Sequence, residues 1–377
     1  MKKLGLYIHI PFCKRKCHYC DFISFSGKQE LIDKYIKSLK QEINNYKIGK
    51  EEYLIETIYF GGGTPSYIDS SYIIEIIKTL REKFNISKNA EITIEINPGT
   101  VDEQKLKDYY NAGINRISFG LQSTKSELLK LVGRIHSYSS FLEAYNLARK
   151  VGFKNINVDL MIGLPVQTLE DVQKDLGRII DLKPEHISVY SLIVEEGTII
   201  EEKISNKELY LPSEELERKM YWKVKGELEK NGYIHYEISN FAKKDFESKH
   251  NLSCWNQEEY IGFGLAAHSY INNTRYSNVE NLENYIIGAD APVCPQTTHE
   301  IQTREDKMKE YMLLGLRKLE GVKISYFKNK FVDNPIYLYR ESLSKLVTQD
   351  LIEIDVDNIK LTNKGIDLAN LVWEEFV

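Results

Sequence analysis

Cysteine is scarce in this chain, with five residues in 377. That excludes a disulfide framework and points to a reducing compartment. Neither sign of charge is in excess: 50 Lys+Arg stand against 55 Asp+Glu, a net −5, which leaves no electrostatic footprint for nucleic acid as a general partner. No apolar run is long enough to span a bilayer. Lys2-Lys3 before an apolar stretch imitates a secretion signal, but His9 and the basic loop after it break the pattern, and no small-residue cleavage site follows. No short-period repeat is present, which excludes solenoids and propellers. What remains, 42% hydrophobic and 28% charged, is the composition of an ordinary soluble protein of two or three domains. The cytoplasm is the expected location, with peripheral membrane contact as the one addition.

Three of the five cysteines stand together in Cys13-Lys14-Arg15-Lys16-Cys17-His18-Tyr19-Cys20. The C-x3-C-x2-C spacing puts three thiolates on one tight loop. Such a loop can hold three irons of a [4Fe–4S] cubane and leave the fourth open. The three basic residues would favour thiolates and offset the cluster's charge, while Phe12, Tyr19 and Phe22 would keep water away. A zinc site lacking one ligand and a disulfide are the competing readings; His18 sits too close to its neighbours in the loop to complete a tetrahedron easily.

Along the chain, strands alternate with amphipathic helices. Strands are predicted at residues 4–10, 54–60, 91–96, 114–119, 156–162 and 187–192, and helices at 31–46, 73–84, 101–111, 141–151 and 169–182. About six βα units imply a parallel sheet, an open and partial (β/α)6 version of the eight-fold barrel. After residue 192 the rhythm changes: a helix N-capped by Ser213 and ended by Gly232, a strand within 233–241, then a linker at 290–295. The tail reads helix (306–319), helix, hairpin (351–361) and a helix capped by Thr362, a small α+β winged-helix-like domain. Residues 301–377 hold 12 Lys+Arg against 13 Asp+Glu, so this domain is expected to contact protein rather than DNA. The expected division is 1–240, 241–295 and 296–377.

The cysteine spacing, with an aromatic before the last Cys, resembles the radical S-adenosylmethionine (SAM) superfamily. The stretch from Leu6 through Phe22 resembles a narrower branch, that of the oxygen-independent coproporphyrinogen III oxidases and the HemW-type haem chaperones. The resemblance implies that Cys13, Cys17 and Cys20 ligate the cluster and that SAM chelates its open iron. Polar residues at strand ends carry the rest. Gly61-Gly62-Gly63-Thr64-Pro65 is similar to the motif that meets the methionine amino group. By the same resemblance the SAM contacts would be Tyr7, Gly62, Gly63, Thr64, Glu95, Gln122, Arg134 and Asp159. Read alone, Glu95 could equally be a solvated strand end or a structural partner of Arg116.

Two features separate chaperone from oxidase within the branch. The oxidases resembling this chain have a further Cys two residues after the third cluster Cys, where this chain has Phe22, and a long N-terminal extension, where here Cys13 lies almost at the start. His250-Asn251-Leu252-Ser253-Cys254-Trp255 is similar to the H-N-x-x-Y-W motif of the chaperones, with Cys254 in place of Tyr. The resemblance therefore implies a haem chaperone: haem as cargo, His250 as candidate axial ligand, Cys254 and His268 as alternatives, and delivery to acceptor haem proteins, including those of respiratory membranes. Trp255 and Tyr260 would flank the macrocycle, and His268 otherwise reads as a histidine hydrogen-bonded in the core. Reductive SAM cleavage is compatible with this reading, whereas coproporphyrinogen oxidation is not expected. The alternative is the oxidase itself, in which a radical removes a propionate hydrogen and decarboxylation leaves a vinyl group.

Overall fold

The computed structural model describes residues 1–288 and 296–377; the linker expected at 290–295 lies outside the described residues. The first half alternates throughout: β1 (Lys2–Ile10), α1 (Ile32–Asn45), β2 (Tyr53–Gly62), α2 (Ser70–Lys83), β3 (Ile86–Ile96), α3 (Glu103–Ala112), β4 (Arg116–Gln122), α4 (Ser126–Leu131), α5 (Tyr138–Val151), β5 (Ile156–Ile162), α6 (Leu169–Leu182) and β6 (His186–Ser191). The strands pair in this order, each parallel to the last. The longer helices carry an apolar stripe, and α2, α3, α5 and α6 add a side-chain N-cap. In α2, Asp69 accepts from the Ser71 amide, and Ile73, Ile76, Ile77 and Leu80 are buried at helical spacing. In α6, Thr168 and Asp171 close a capping box and Val172, Leu176 and Ile179 face the sheet.

Period-two alternation sorts each strand. Ile92, Ile94 and Ile96 pack outward under the helices, and the residues between them face the interior of the curved sheet. The sheet then grows at both edges. After α7 (Ile199–Ser205) and α8 (Glu214–Lys230), whose Ser213 cap and buried Met220, Val224 and Leu228 follow expectation, the single strand predicted near 233–241 is two. β7 (Ile234–Glu237) and β8 (Asn240–Ala242) run antiparallel, with β8 on β6.

The short helix α9 (Lys249–Trp255) precedes β9 (Tyr260–Phe263), which lies parallel to β1. β10 (His268–Ile271), β11 (Thr274–Asn278), α10 (Leu282–Gly288) and β12 (Gln296–Ile301) complete that edge. The order β12-β11-β10-β9-β1-β2-β3-β4-β5-β6-β8-β7 is that of an open, twelve-stranded sheet, not a closed barrel. The tail, from α11 (Arg304–Gly315) onward, is a helical domain with a three-stranded sheet and its own core around Met312, Phe327, Leu346 and Ile359.

Candidate cofactor site

The cysteine loop leaves β1 and is clamped at its neck. The Cys13 amide donates to the Phe25 carbonyl (2.9 Å) and the Phe25 amide to that of Pro11 (2.7 Å). Its far side is tied to the end of α4: the His18 amide donates to Val132 (3.0 Å) and its Nδ1 lies 2.9 Å from the Leu131 carbonyl. His18 is thus held by backbone and turned to the loop after α4, where Gly133 at φ +78° passes so close that a Cβ would sit 2.6 Å from the imidazole. The glycine loop after β2 docks from the other side. Amides of Gly63 and Thr64 donate to Ile10 and Phe12 (both 2.9 Å), and a Cβ on Gly63 would meet Cys13 Sγ at 3.0 Å.

Two side chains donate to the sulfurs, Thr64 Oγ1 to Cys13 (3.4 Å) and Arg134 Nη1 to Cys17 (3.5 Å). Burial raises the thiols of Cys13 and, to about 11, Cys20. Burial outweighs the basic neighbours at these two thiols, although Lys16 pulls Cys20 and Arg134 pulls Cys13 towards the thiolate; Lys14 and Arg15 are exposed, where their charge is screened. Phe22 is likewise not a water shield: it is 63% exposed at the cavity rim, while Phe12 is buried. Among the described residues no three Cys, His, Asp or Glu side chains converge on a single metal-ion position, which a mononuclear zinc site with sulfurs at about 2.3 Å would require.

The loop roofs a cavity of about 500 Å³. Gly62, Gly63, Thr64, Glu95, Gln122, Arg134 and Asp159 all line it with the three cysteines. Each arrives by a distinct device. A bulge between Gly120 and Gln122, the latter at φ +71°, re-aims the end of β4. Arg134 is buried and donates Nη2 to the Gly120 carbonyl and to Asn97 Oδ1 (2.7 Å). Glu95 accepts from the Tyr59 hydroxyl (2.9 Å), and burial together with the Asp159 charge pushes its carboxyl up to about 7. Asp159 accepts from Asn157 Nδ2 (2.7 Å) and Ser118 Oγ (3.2 Å), and burial raises it too. Tyr7 is not among the lining residues; its ring stacks on Tyr59 behind Gly61, and its hydroxyl meets His9 Nδ1 at 3.1 Å.

The motif helix α9 closes the cavity from below. Asn251 lines it, while His250 lies buried under Tyr59, stacked at 5.2 Å, with Nδ1 on Thr57 Oγ1 (2.9 Å). Burial lowers the His250 pKa to about 4, so the ring is neutral at pH 7. Burial raises the Cys254 thiol to about 11. Trp255 faces the C-terminal domain, its ring 4.4 Å from the Arg317 guanidinium, and the Tyr260 hydroxyl accepts from Arg275 Nη1 at 3.4 Å. His268 is exposed on β10, which corrects the expectation of a core histidine: the strand turns it to the solvent face.

Sequence reasoning missed a polar interior. Ser118 on β4, Asn157 on β5, and Ser188 and Tyr190 on β6 also line the cavity, as does Arg116 on β4, which the sequence offered only as a structural partner of Glu95. A signal was present: polar residues recur at every second position, as in Arg116-x-Ser118-x-Gly120-x-Gln122 and Asn157-x-Asp159, on strands otherwise built of Ile, Val and Phe.

Comparison with known proteins agrees with this geometry. Residues 7–179 match the Radical SAM superfamily and residues 302–368 the HemN C-terminal domain. The solved structure of coproporphyrinogen III oxidase (HemN) from Escherichia coli, a radical SAM enzyme, superposes with a TM-score of 0.85 at 26% identity, covering 100% of this chain and 90% of that one. The fold is that of a radical SAM protein. Two relatives narrow the class. The heme chaperone HemW of Lactococcus lactis subsp. lactis is 38% identical over 376 residues, covering 100% of this chain and 98% of the relative. That of Bacillus subtilis is 39% identical over 375 residues, covering 98% of each. The chain belongs to the HemW family.

Proposed function

We propose that this protein is a haem chaperone carrying a [4Fe–4S] cluster on Cys13, Cys17 and Cys20 with SAM in the cavity below. The observation that carries the cofactor reading is the convergence of seven residues from four strands, their following loops and the loop after α4 on the three cysteines around one cavity of about 500 Å³. The donor set suits the groups: three sulfurs leave one iron open, and Gly63 lacks the Cβ that would crowd Cys13. Glu95 and Asp159 offer carboxylate oxygens to an amine or to hydroxyls, and Arg134 offers a guanidinium to a carboxylate. When bound, cluster and SAM together supply one-electron chemistry. The chain's own part is to orient SAM, with Glu95, Asp159 and Arg134 as the charged groups that would meet it.

The haem reading is supported by full-length identity to relatives named heme chaperones and by the His250–Trp255 motif. His250 is the motif's imidazole, and reaching haem would require α9 to swing away from Thr57. His268 is the imidazole already at the surface, and Cys254 the thiol alternative. Acceptor haem proteins, respiratory membrane proteins among them, would be the recipients, and the cytoplasm the site of action; no helix among the described residues is long and apolar enough to cross a membrane. We further propose the division 1–240, 241–295 and 296–377 as functional units, the second adding β9 to the sheet beside β1.

The second reading is the oxidase, favoured by the full-chain likeness to HemN. One anaerobic experiment separates the two. Reconstituted protein given haem should show a Soret band, and given coproporphyrinogen III and a reductant should form no protoporphyrinogen IX. Sustained conversion would replace the chaperone reading with the oxidase.

A further inference from the structure

The cavity holds one charged group that no other side chain engages. Arg116, the first residue of β4, is 2% exposed and lines the cavity. Among the described residues its side chain makes no hydrogen bond or ion pair, and its Nε is buried without a partner. A guanidinium carries five N–H donors in a planar fork, and a buried charge without an acceptor is costly. The neighbouring carboxylates do not supply one. Glu95 accepts from Tyr59, and Asp159 from Asn157 and Ser118. Burial raises both carboxyls, and the Arg116 charge opposes this without a bond to either. Glu91, on the same face of β3 as Glu95, accepts from the His250 amide. Arg134, the other buried arginine of the cavity, is by contrast bonded to Asn97, Gly120 and Cys17.

From this geometry we propose that the inner end of the cavity is a carboxylate subsite centred on Arg116, which takes the acid group of a small organic monocarboxylate. The inference rests on the cavity itself, and on the cofactor reading only for SAM occupying the part beside the cysteines. The fork selects the group: two parallel N–H bonds match the two oxygens of a carboxylate. The neighbours select the charge. With Glu95 and Asp159 in the same cavity, one guanidinium offsets a monoanion, whereas a phosphate dianion would set a second charge against two carboxylates. Asn251 of α9 also lines the cavity; its backbone amide is bonded to Ser248, and its carboxamide makes no hydrogen bond among the described residues. That carboxamide is the second donor of the subsite. The rings of Tyr59 and Tyr190 line the same cavity and give the body of the ligand apolar surface.

The test is calorimetric titration of the reconstituted protein at pH 8 with SAM present. The probes are acetate and hexanoate, with hexanamide as the uncharged control and inorganic phosphate as the dianion. At least one of the two carboxylates should bind, and hexanamide and phosphate should not. Arg116→Gln should weaken carboxylate binding at least tenfold, and Arg116→Lys and Asn251→Ala by smaller factors. SAM affinity in Arg116→Gln should stay within threefold of the wild type. Arg134→Ala should do the opposite, weakening SAM and keeping the carboxylate. Full carboxylate binding in Arg116→Gln would overturn the inference, and so would equal binding of hexanoate and hexanamide. Preference for phosphate, or no binding of either carboxylate to the wild type, would do the same. Should Arg116→Gln fail to fold, unchanged carboxylate binding in both Arg116→Lys and Asn251→Ala would be decisive against the subsite. Failure of the wild type to bind SAM would strike at the cofactor reading instead, and the same titrations without SAM would still separate Arg116 from Arg134.

Discussion

Nδ1 of His250 lies 2.9 Å from Oγ1 of Thr57, and this contact fastens the motif helix to the second strand of the sheet. The residues are 193 positions apart, so the pair closes a long loop of chain. Around it the His250 ring stacks on Tyr59, which donates to Glu95, and the His250 amide donates to Glu91 (3.2 Å). The motif and the cavity floor are therefore one packed unit. A single aromatic ring, Tyr59, stands between His250 and Glu95.

His250→Ala removes that ring from a buried site and leaves Thr57 without its partner. We expect the apo protein to lose about 2–4 kcal/mol, from the cavity and the lost hydrogen bond together. Thr57→Val should cost less, about 1–3 kcal/mol, because only the hydrogen bond goes. Urea denaturation of both variants gives the comparison. Wild-type stability in His250→Ala would show that the helix is not anchored there.

Replacing Cys13, Cys17 and Cys20 together with Ala should abolish the cluster and leave the fold in place. The loop's neck is held by backbone bonds at Cys13 and Phe25 that Ala retains. After anaerobic reconstitution, iron and sulfide should be absent while the far-ultraviolet circular dichroism is unchanged. Iron retained at the wild-type level would remove the cluster from this loop.

Arg134 and Asp159 are proposed to hold opposite parts of SAM. Loss of a charged hydrogen-bond partner costs about 1.5–3 kcal/mol, a factor of roughly ten to a hundred in affinity. Calorimetry of the reconstituted protein with SAM should therefore show Arg134→Ala and Asp159→Ala weakened by that much. Asp159→Asn should recover part of the loss if a single acceptor oxygen suffices. Unchanged binding in both alanine variants would move the SAM seat elsewhere.

Most of the alternating half of the fold was legible because its longer helices carry an apolar stripe and several a side-chain cap, as Asp69 and Thr168 do for α2 and α6, whereas the uncapped six-residue α4 was not foreseen. The second half was less so. β7 and β8 are only 4 and 3 residues long, too short for period-two alternation to register, and β9 pairs with β1 across more than two hundred residues, a contact with no local signature. At the site, the motif residues from Gly62 to Asp159 line the cavity while Tyr7 does not, and residues marked only by strand periodicity went unread. Arg116 and Ser118 precede the Gln122 motif by six and four positions and differ from a solvated strand face only in being buried, at 2% and 3% exposure. His268 shows the converse. Its apolar neighbours suggested the core, but the register of β10 turns it out to solvent.

Glu95 is expected to have opposing effects on stability and on the proposed SAM binding, and pH separates them. Its carboxyl is raised from the ordinary 4.5 to about 7, first by burial and then by the Asp159 charge. The folded chain therefore holds this proton more tightly than the unfolded chain does. Below pH 4.5 the group is protonated in both states and costs nothing. Between pH 4.5 and about 7 the unfolded chain ionises first, so stability falls as pH rises, and above pH 7 the full penalty stands. A displacement of that size corresponds to at most about 3 kcal/mol. Glu95→Gln, which keeps an acceptor for Tyr59, should thus stabilise the apo protein at pH 8 and leave it unchanged at pH 4. Its effect on SAM should be the reverse. An amide cannot offer the full negative charge to an amine, so affinity should fall at pH 8, whereas wild-type affinity should itself decline as pH drops through 7. Denaturation of the apo protein at the two pH values and SAM titration of the reconstituted protein from pH 6.5 to 8.5 measure both arms. A variant no more stable than the wild type at pH 8 would mean that Arg116 and the Tyr59 hydroxyl already offset the buried charge.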